Sequence, residues 1–64
     1  MTPELKAKFD MALDDMEKRF RISYFAMACY ELGVKEKDLK TVNLTEYLEE
    51  KAINTRDGYW EKKI

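Results

Sequence analysis

Residues 3–33 read PELKAKFDMALDDMEKRFRISYFAMACYELG, and this stretch decides the fold. Thr2, which precedes it, is a residue type that caps helices, and Pro3 suits the first helical turn. No glycine or proline follows until Gly33, and glycine commonly stands just past the end of a helix. We therefore predict one long helix over residues 3–32.

The apolar residues of this stretch recur every three or four positions, which is the period of a helix that buries one face. A second apolar stripe begins at Ile22 and makes the C-terminal half apolar on nearly all sides, which is typical of a helix buried on more than one side. The first stripe contains Leu5, Phe9, Leu13, Met16, Phe20, Tyr24 and Met27, and the second contains Ile22, Phe25, Cys29 and Leu32.

The rest of the chain predicts a second, shorter helix. Residues 33–43 form a polar connector, and Asn43 with Glu46 three positions later has the pattern of a capping box at the start of a helix over residues 44–55. Residues 56–64 are an aromatic and basic tail, which either resumes the helix or packs as an extended arm. The predicted fold is all-α: one domain over residues 1–64, in which a long N-terminal helix and a shorter helix form a hairpin, followed by the tail.

The length of the first helix predicts self-association. Thirty helical residues span about 45 Å, whereas a compact chain of 64 residues has a diameter of about 28 Å. The second helix covers only part of the first, so the uncovered apolar stripe needs another chain. We expect a homodimer of helical hairpins.

Composition excludes several classes of function. The chain has one cysteine and no histidine, so it has no internal disulfide and no nucleophile–histidine pair, and a zinc or haem site is disfavoured. Twelve basic and thirteen acidic side chains give a net charge of −1, which provides no general attraction to nucleic acid or anionic lipid. We expect a cytoplasmic protein that is not an enzyme and has no cofactor, no metal and no membrane partner.

Three other groups of residues have a structural interpretation. The adjacent carboxylates of Asp14 and Asp15 point about 100° apart on a helix and do not converge for acid–base chemistry. Cys29 lies on the second apolar stripe, which predicts a core residue rather than a nucleophile. The basic cluster at residues 18–21 follows acidic residues one helical turn earlier, which predicts a solvated, ion-paired face.

Five aromatic or methionine side chains are candidates for protein binding, because these residue types dominate contact surfaces. The alternative is that they complete the core. The candidates are Tyr24, Met27, Tyr30, Tyr59 and Trp60. We expect a small regulatory or adaptor protein that binds another protein, in the manner of phage or mobile-element products that inhibit or redirect host machinery.

Residues 28–42 resemble a DNA-binding helix-turn-helix. Ala28, Leu32, Gly33, Val34, Leu39 and Val42 have the spacing of that motif, in which a small residue precedes the turn and the next helix buries residues at matching offsets. This resemblance implies that DNA would face Lys35, Lys37, Lys40, Thr41 and Asn43. Glu36 and Asp38 reduce the positive charge of that surface.

A second resemblance is to the NblA family, the small phycobilisome-degradation adaptors of cyanobacteria and their phages. The segment EKRFRISYF at residues 17–25 is similar to their first helix, and Leu48-Glu49-Glu50, Arg56-Asp57 and Tyr59 are similar to their second. The resemblance implies a dimeric helical hairpin that links a target protein to a protease. The connector here is longer than in that family, and Gly58 interrupts the second segment.

Overall fold

The computed structural model describes residues 2–63, and it divides the predicted long helix into two helices with a strand between them. Helix α1 spans Pro3–Asp15, strand β1 spans Arg19–Phe20 and helix α2 spans Ile22–Glu31. The fold measures 27 × 20 × 18 Å, which is too small for an unbroken helix of the predicted length. The prediction of a single helix over residues 3–32 is therefore wrong.

Helix α1 begins where the sequence predicts and ends much earlier. The Leu5 amide donates to Thr2 Oγ1 at 3.2 Å, which confirms the predicted cap. At the other end Met16 is extended, with φ −76° and ψ 149°. Aspartate has low helix propensity, and Asp14 and Asp15 lie in a last turn without a basic residue to offset the helix dipole. The break allows α1 and α2 to fold back on each other and share one core.

The end of α2 confirms the predicted stop at Gly33. Gly33 has φ +90°, a conformation that side chains with a Cβ rarely adopt. Its amide donates to the Tyr30 carbonyl at 3.0 Å, and the Val34 amide donates to the Cys29 carbonyl at 3.1 Å. These two bonds satisfy carbonyls that the end of the helix would otherwise leave unpaired.

Helix α3 spans Thr41–Lys51 and follows a 3-10 turn at Glu36–Asp38. Lys40 stands at its N-cap position. Asn43 lies inside the helix, where its side-chain amide donates to the Asp38 carbonyl at 3.3 Å. The predicted capping box at Asn43 and helix start at residue 44 are wrong, because the Asn43 side chain fixes the preceding turn instead.

The C-terminal part of the chain forms a small sheet. Strand β2 spans Ala52–Asn54 and strand β3 spans Trp60–Lys62, and both β1 and β2 pair antiparallel with the central β3. The turn between β2 and β3 contains Arg56 at φ 64° and Gly58 at φ 88°. The fold is thus mixed, three helices and a three-stranded sheet, and the predicted all-α helical hairpin with an aromatic tail is wrong.

An aromatic cluster holds the three helices together. Phe9 from α1 contacts Phe25 from α2 edge to face at 5.7 Å between ring centroids, and Phe25 stacks on Tyr47 from α3 at 5.8 Å. The Tyr47 hydroxyl donates to the carboxylate of Asp10. The other buried core residues are Ala12, Phe20, Cys29, Val34, Leu44, Leu48, Ala52 and Trp60. Because one chain forms this core, the length argument for a dimer no longer applies.

Candidate functional site

The structure separates the five predicted contact residues into three environments. Trp60 is only 7% exposed and lies in the core, where it pairs with Phe20 of β1 and Asn54 of β2. Trp60 therefore belongs to the packed interior rather than to a contact surface. The sequence left open whether Trp60 completes the core or contacts a partner, because the short strand β3 carries only a weak alternating pattern.

Three of the predicted residues lie together on the solvent side of α2. Tyr24 and Met27 are each 60% exposed and Tyr30 is 65% exposed. The opposite side of the same helix buries Phe25 and Cys29. We call the residues Tyr24, Met27 and Tyr30 the outer face of α2. Large apolar side chains grouped in this way are more often contact surfaces than single exposed ones.

An open recess adjoins this face at the start of α2. Its volume is about 480 Å³, which is within the range of ligand-binding clefts. Apolar, aromatic and charged side chains all contribute to its walls. The lining residues are Asp15, Met16, Glu17, Arg19, Phe20, Arg21, Tyr24 and Tyr59. The recess brings Tyr24 and Tyr59, two predicted contact residues, to one place.

Two guanidinium groups contact the ring of Tyr59. The Cζ atom of Arg19 lies 4.7 Å from the ring centroid and that of Arg21 lies 4.9 Å from it. Both distances are within the range of cation–π interaction. Arg19 also forms an ion pair with Asp57, whose pKa is lowered by a hydrogen bond from the Thr55 hydroxyl and by the Arg19 charge. These contacts hold Tyr59 and both arginines in a defined arrangement.

Arg21 is a second cation of the recess. Within residues 2–63 the ion pair of the recess is Arg19 with Asp57, so the charge of Arg21 is not neutralised in that way. The neighbouring Tyr59 hydroxyl raises the pKa of Arg21 above its ordinary value. The acidic residues Asp15 and Glu17 also line the recess. The recess therefore combines both signs of charge with apolar surface.

Two buried ionisable groups, Cys29 and Tyr47, have raised pKa values. Burial raises the pKa of Cys29 from 9.0 to about 11, so the thiol stays protonated and weakly nucleophilic at neutral pH. Burial and the bond to Asp10 raise the pKa of Tyr47 above its ordinary value. Among residues 2–63, no group of three or more potential ligands is placed to hold a metal ion. Within the same range, none of the helices is long and apolar enough to cross a membrane.

The connectivity of the elements is that of a winged helix-turn-helix. In that arrangement a helix and a strand come first, and two helices joined by a turn follow them. A β-hairpin comes last, and its second strand pairs with the first strand of the chain. Helices α2 and α3 occupy the positions of the helix-turn-helix. Helix α1 is the separate helix that precedes them. The predicted single helix over residues 3–32 did not provide one.

The residues predicted to face DNA are mostly accessible. Lys35, Lys37, Lys40 and Thr41 are exposed, whereas Asn43 is half-buried and bonded to the turn. Val42, which the motif expects in the core, is 59% exposed. Further along α3 the exposed residues include Glu46, Glu49 and Glu50. The exposed surface around α3 is thus basic before and at its start, and acidic at Glu46, Glu49 and Glu50.

Comparison with protein-family models, curated proteins and solved structures found no match. The fold also differs from the hairpin that the NblA resemblance implies. Residues 17–25, the segment similar to the first NblA helix, cover a loop, strand β1 and only the first part of α2. The resemblance is therefore confined to local sequence.

Arg19 and Arg21, which contact the ring of Tyr59, were not among the residues predicted from the sequence to form a site. The sequence feature that could have identified them is the alternation Arg19-Phe20-Arg21, in which one apolar residue stands between two charged ones. Such alternation is typical of a strand with one buried side. The helical period of the surrounding residues dominated the pattern, so the alternation was assigned to a helix face.

Proposed function

We propose that this chain is a small, non-enzymatic regulator or adaptor of the cytoplasm that binds another protein through the recess beside Tyr59. The observation that carries the proposal is the packing of Arg19 and Arg21 around Tyr59, next to the exposed Tyr24. Tyrosine and arginine are the residue types most enriched at binding hot spots. Side chains already held in place lose less conformational entropy on binding, which favours affinity.

The chemistry of the recess indicates the partner's contact segment. Arg21 attracts a carboxylate, and the half-buried Met16 and the exposed Tyr24 offer apolar surface in the same recess. A protein segment with an apolar side chain next to an acidic residue fits both features. A regulator of this size suits a phage or mobile-element product that acts on host machinery, although this association rests on composition rather than on the recess.

Affinity capture from the source cell tests the proposal. The immobilised chain is compared with Arg21→Glu, which reverses the charge of the recess, and with Lys37→Glu as a matched charge reversal outside it. We expect Arg21→Glu to weaken capture about thirty-fold, because loss of a hot-spot arginine costs about 2 kcal/mol. Lys37→Glu should retain capture. Equal capture by both variants would contradict the proposal.

The winged-helix connectivity favours DNA binding as a second candidate. Lys35, Lys37 and Lys40 are exposed before and at the start of α3, and Arg56 lies at the turn of the hairpin. It ranks second because Glu46 and Glu49 on the exposed side of α3 would repel DNA phosphates. A gel-shift titration distinguishes the two candidates.

If the chain binds DNA, a duplex should shift with an affinity that falls steeply as salt rises. Replacement of Lys35, Lys37 and Lys40 by glutamate should abolish that shift, whereas Arg21→Glu should leave most of it. A chain that shifts no duplex at low salt but captures a protein partner supports the first candidate.

A further inference from the structure

We infer that the outer face of α2 is covered by a second copy of this chain, with the two α2 helices antiparallel about a two-fold axis at Met27. This interface shares Tyr24 with the recess but otherwise uses different residues. It does not depend on the length argument that the fold overturned. The inference rests on the order of residues along α2, on their exposure and on the charges at its two ends.

The residue order of α2 is self-complementary about Met27. Tyr24 and Tyr30 each lie three positions from Met27, and Ala26 and Ala28 flank it directly. On a helix, residues three positions either side of a central residue project at equal angles to its left and right. An antiparallel two-fold axis at Met27 therefore sets Tyr24 of one copy at the same level along the helix as Tyr30 of the other. This is the same patch on both subunits, which a closed dimer requires.

The exposed side chains have the size that such a contact needs. Tyr24, Met27 and Tyr30 are each at least 60% exposed, although Phe25 and Cys29 on the other side already complete the core. Methionine adapts to an irregular facing surface, which suits it to a position on the axis.

The charges at the two ends of α2 favour the antiparallel orientation. Arg21 stands at the N-cap position and Glu31 is the last residue of the helix. A carboxylate at the C-terminus is unfavourable beside its own helix dipole, but favourable beside the N-terminus of another helix. In the antiparallel dimer Glu31 approaches Ser23 and the helix N-terminus of the second copy. A parallel pair would instead place like charges together.

The contact involves one helix of ten residues from each chain, so the buried area is at the low end of protein interfaces. We expect a reversible dimer whose population depends on concentration. Tyr24 lies at the border of both surfaces, so Tyr30 of the second copy would stand beside the recess. The dimer would then present two recesses to its partners.

Sedimentation velocity from micromolar to millimolar concentration tests the inference. We expect the average mass to rise from 7.7 kDa toward twice that value. Met27→Glu would place two carboxylates at the axis and should keep the chain monomeric. Met11→Glu is the matched control, because Met11 is 55% exposed on α1 and lies outside the interface. Circular dichroism of both variants checks that they fold.

Cysteine cross-linking tests the position of the axis. Met27→Cys should form an intermolecular disulfide readily under mild oxidation, whereas Met11→Cys should form little. The native Cys29 is buried and serves as an internal background. A monomer at every concentration would overturn the inference, as would a dimer that Met27→Glu leaves intact.

The dimer and the proposed function are tested separately. Arg21→Glu should weaken partner capture, whereas Met27→Glu should remove the dimer. If Met27→Glu retains capture and the wild-type chain is monomeric, only the dimer is contradicted. If the dimer forms and Arg21→Glu captures the partner as well as the wild-type chain does, only the proposed function is contradicted.

Discussion

The two sides of α2 differ sharply in environment although their residues are similar in kind. Phe25 and Cys29 on the inner side are fully buried, and Tyr24, Met27 and Tyr30 on the outer side are mostly exposed. Aromatic and sulfur-containing residues occur on both sides, so composition does not distinguish core from contact surface. The distinction comes from the break at residues 16–21, which directs one side of α2 toward α1 and α3.

The largest difference in stability is expected between substitutions at two adjacent residues, Phe25 and Tyr24. Phe25→Ala removes a ring that contacts Phe9, Phe20 and Tyr47, and we expect it to lower the free energy of unfolding by about 3–5 kcal/mol. A domain of this size has about that much stability in total, so the variant should be largely unfolded. Tyr24→Ala next to it should change stability by less than about 0.5 kcal/mol. Urea titrations followed by circular dichroism measure both.

Trp60→Ala should also destabilise the fold by about 3 kcal/mol or more, because it leaves a cavity at the centre of the sheet. Trp60 packs in the core and is paired on both sides, by β1 and by β2. A Trp60→Ala variant that melts within a few degrees of the wild-type chain would contradict this placement. Tyr59, next to it in sequence, is the suitable position for a binding variant.

Part of this contrast could be predicted from the sequence. The cap at Thr2, the stop at Gly33 and the burial of Phe9, Phe25 and Cys29 follow from residue type and helical period. The break near Met16 could not be predicted, because no glycine or proline marks it and the helical period continues through it. Tertiary packing determines where the helix ends, because a bent chain buries Phe20 and Phe9 in the same core.

The candidate site was predictable to a similar extent. The sequence indicated that the aromatic residues of α2 either form the core or contact a partner. With a straight helix as the predicted structure, there was no basis for deciding which side of α2 is buried. The recess depends on β1 and β3, whose strands contain two and three residues. Strands this short leave little periodic signal, so the approach of Arg19 and Arg21 to Tyr59 depends on long-range pairing.

Alkaline pH should lower the free energy of unfolding through Cys29 on the inner side of α2. Burial raises the pKa of Cys29 to about 11, so between pH 9 and 11 the unfolded chain loses this proton while the folded chain retains it. The folded state then binds more protons, and stability falls as pH rises through this range. The raised pKa of Tyr47 acts in the same direction. Cys29→Ala should show a shallower decline in urea titrations repeated across this range.

A substitution at Tyr59 in the recess should lower stability far less than Phe25→Ala or Trp60→Ala. Tyr59→Ala removes the ring that Arg19 and Arg21 contact, and exposed cation–π pairs contribute about 0.5–1 kcal/mol. The melting temperature should therefore fall by only a few degrees, while partner capture is strongly reduced. Arg56→Ala at the hairpin turn is a control outside the recess. A loss of stability as large as that of Trp60→Ala would place Tyr59 in the core.

The break between α1 and α2 is the feature on which the whole account depends, and nuclear magnetic resonance measures it directly. The pairing of Phe20 with Trp60 and of Arg19 with Glu61 predicts cross-strand nuclear Overhauser effects between β1 and β3. Residues 16–21 should show extended-chain secondary shifts. Continuous helical shifts and sequential amide contacts through residues 14–24, with no contact between Phe20 and Trp60, would contradict the account.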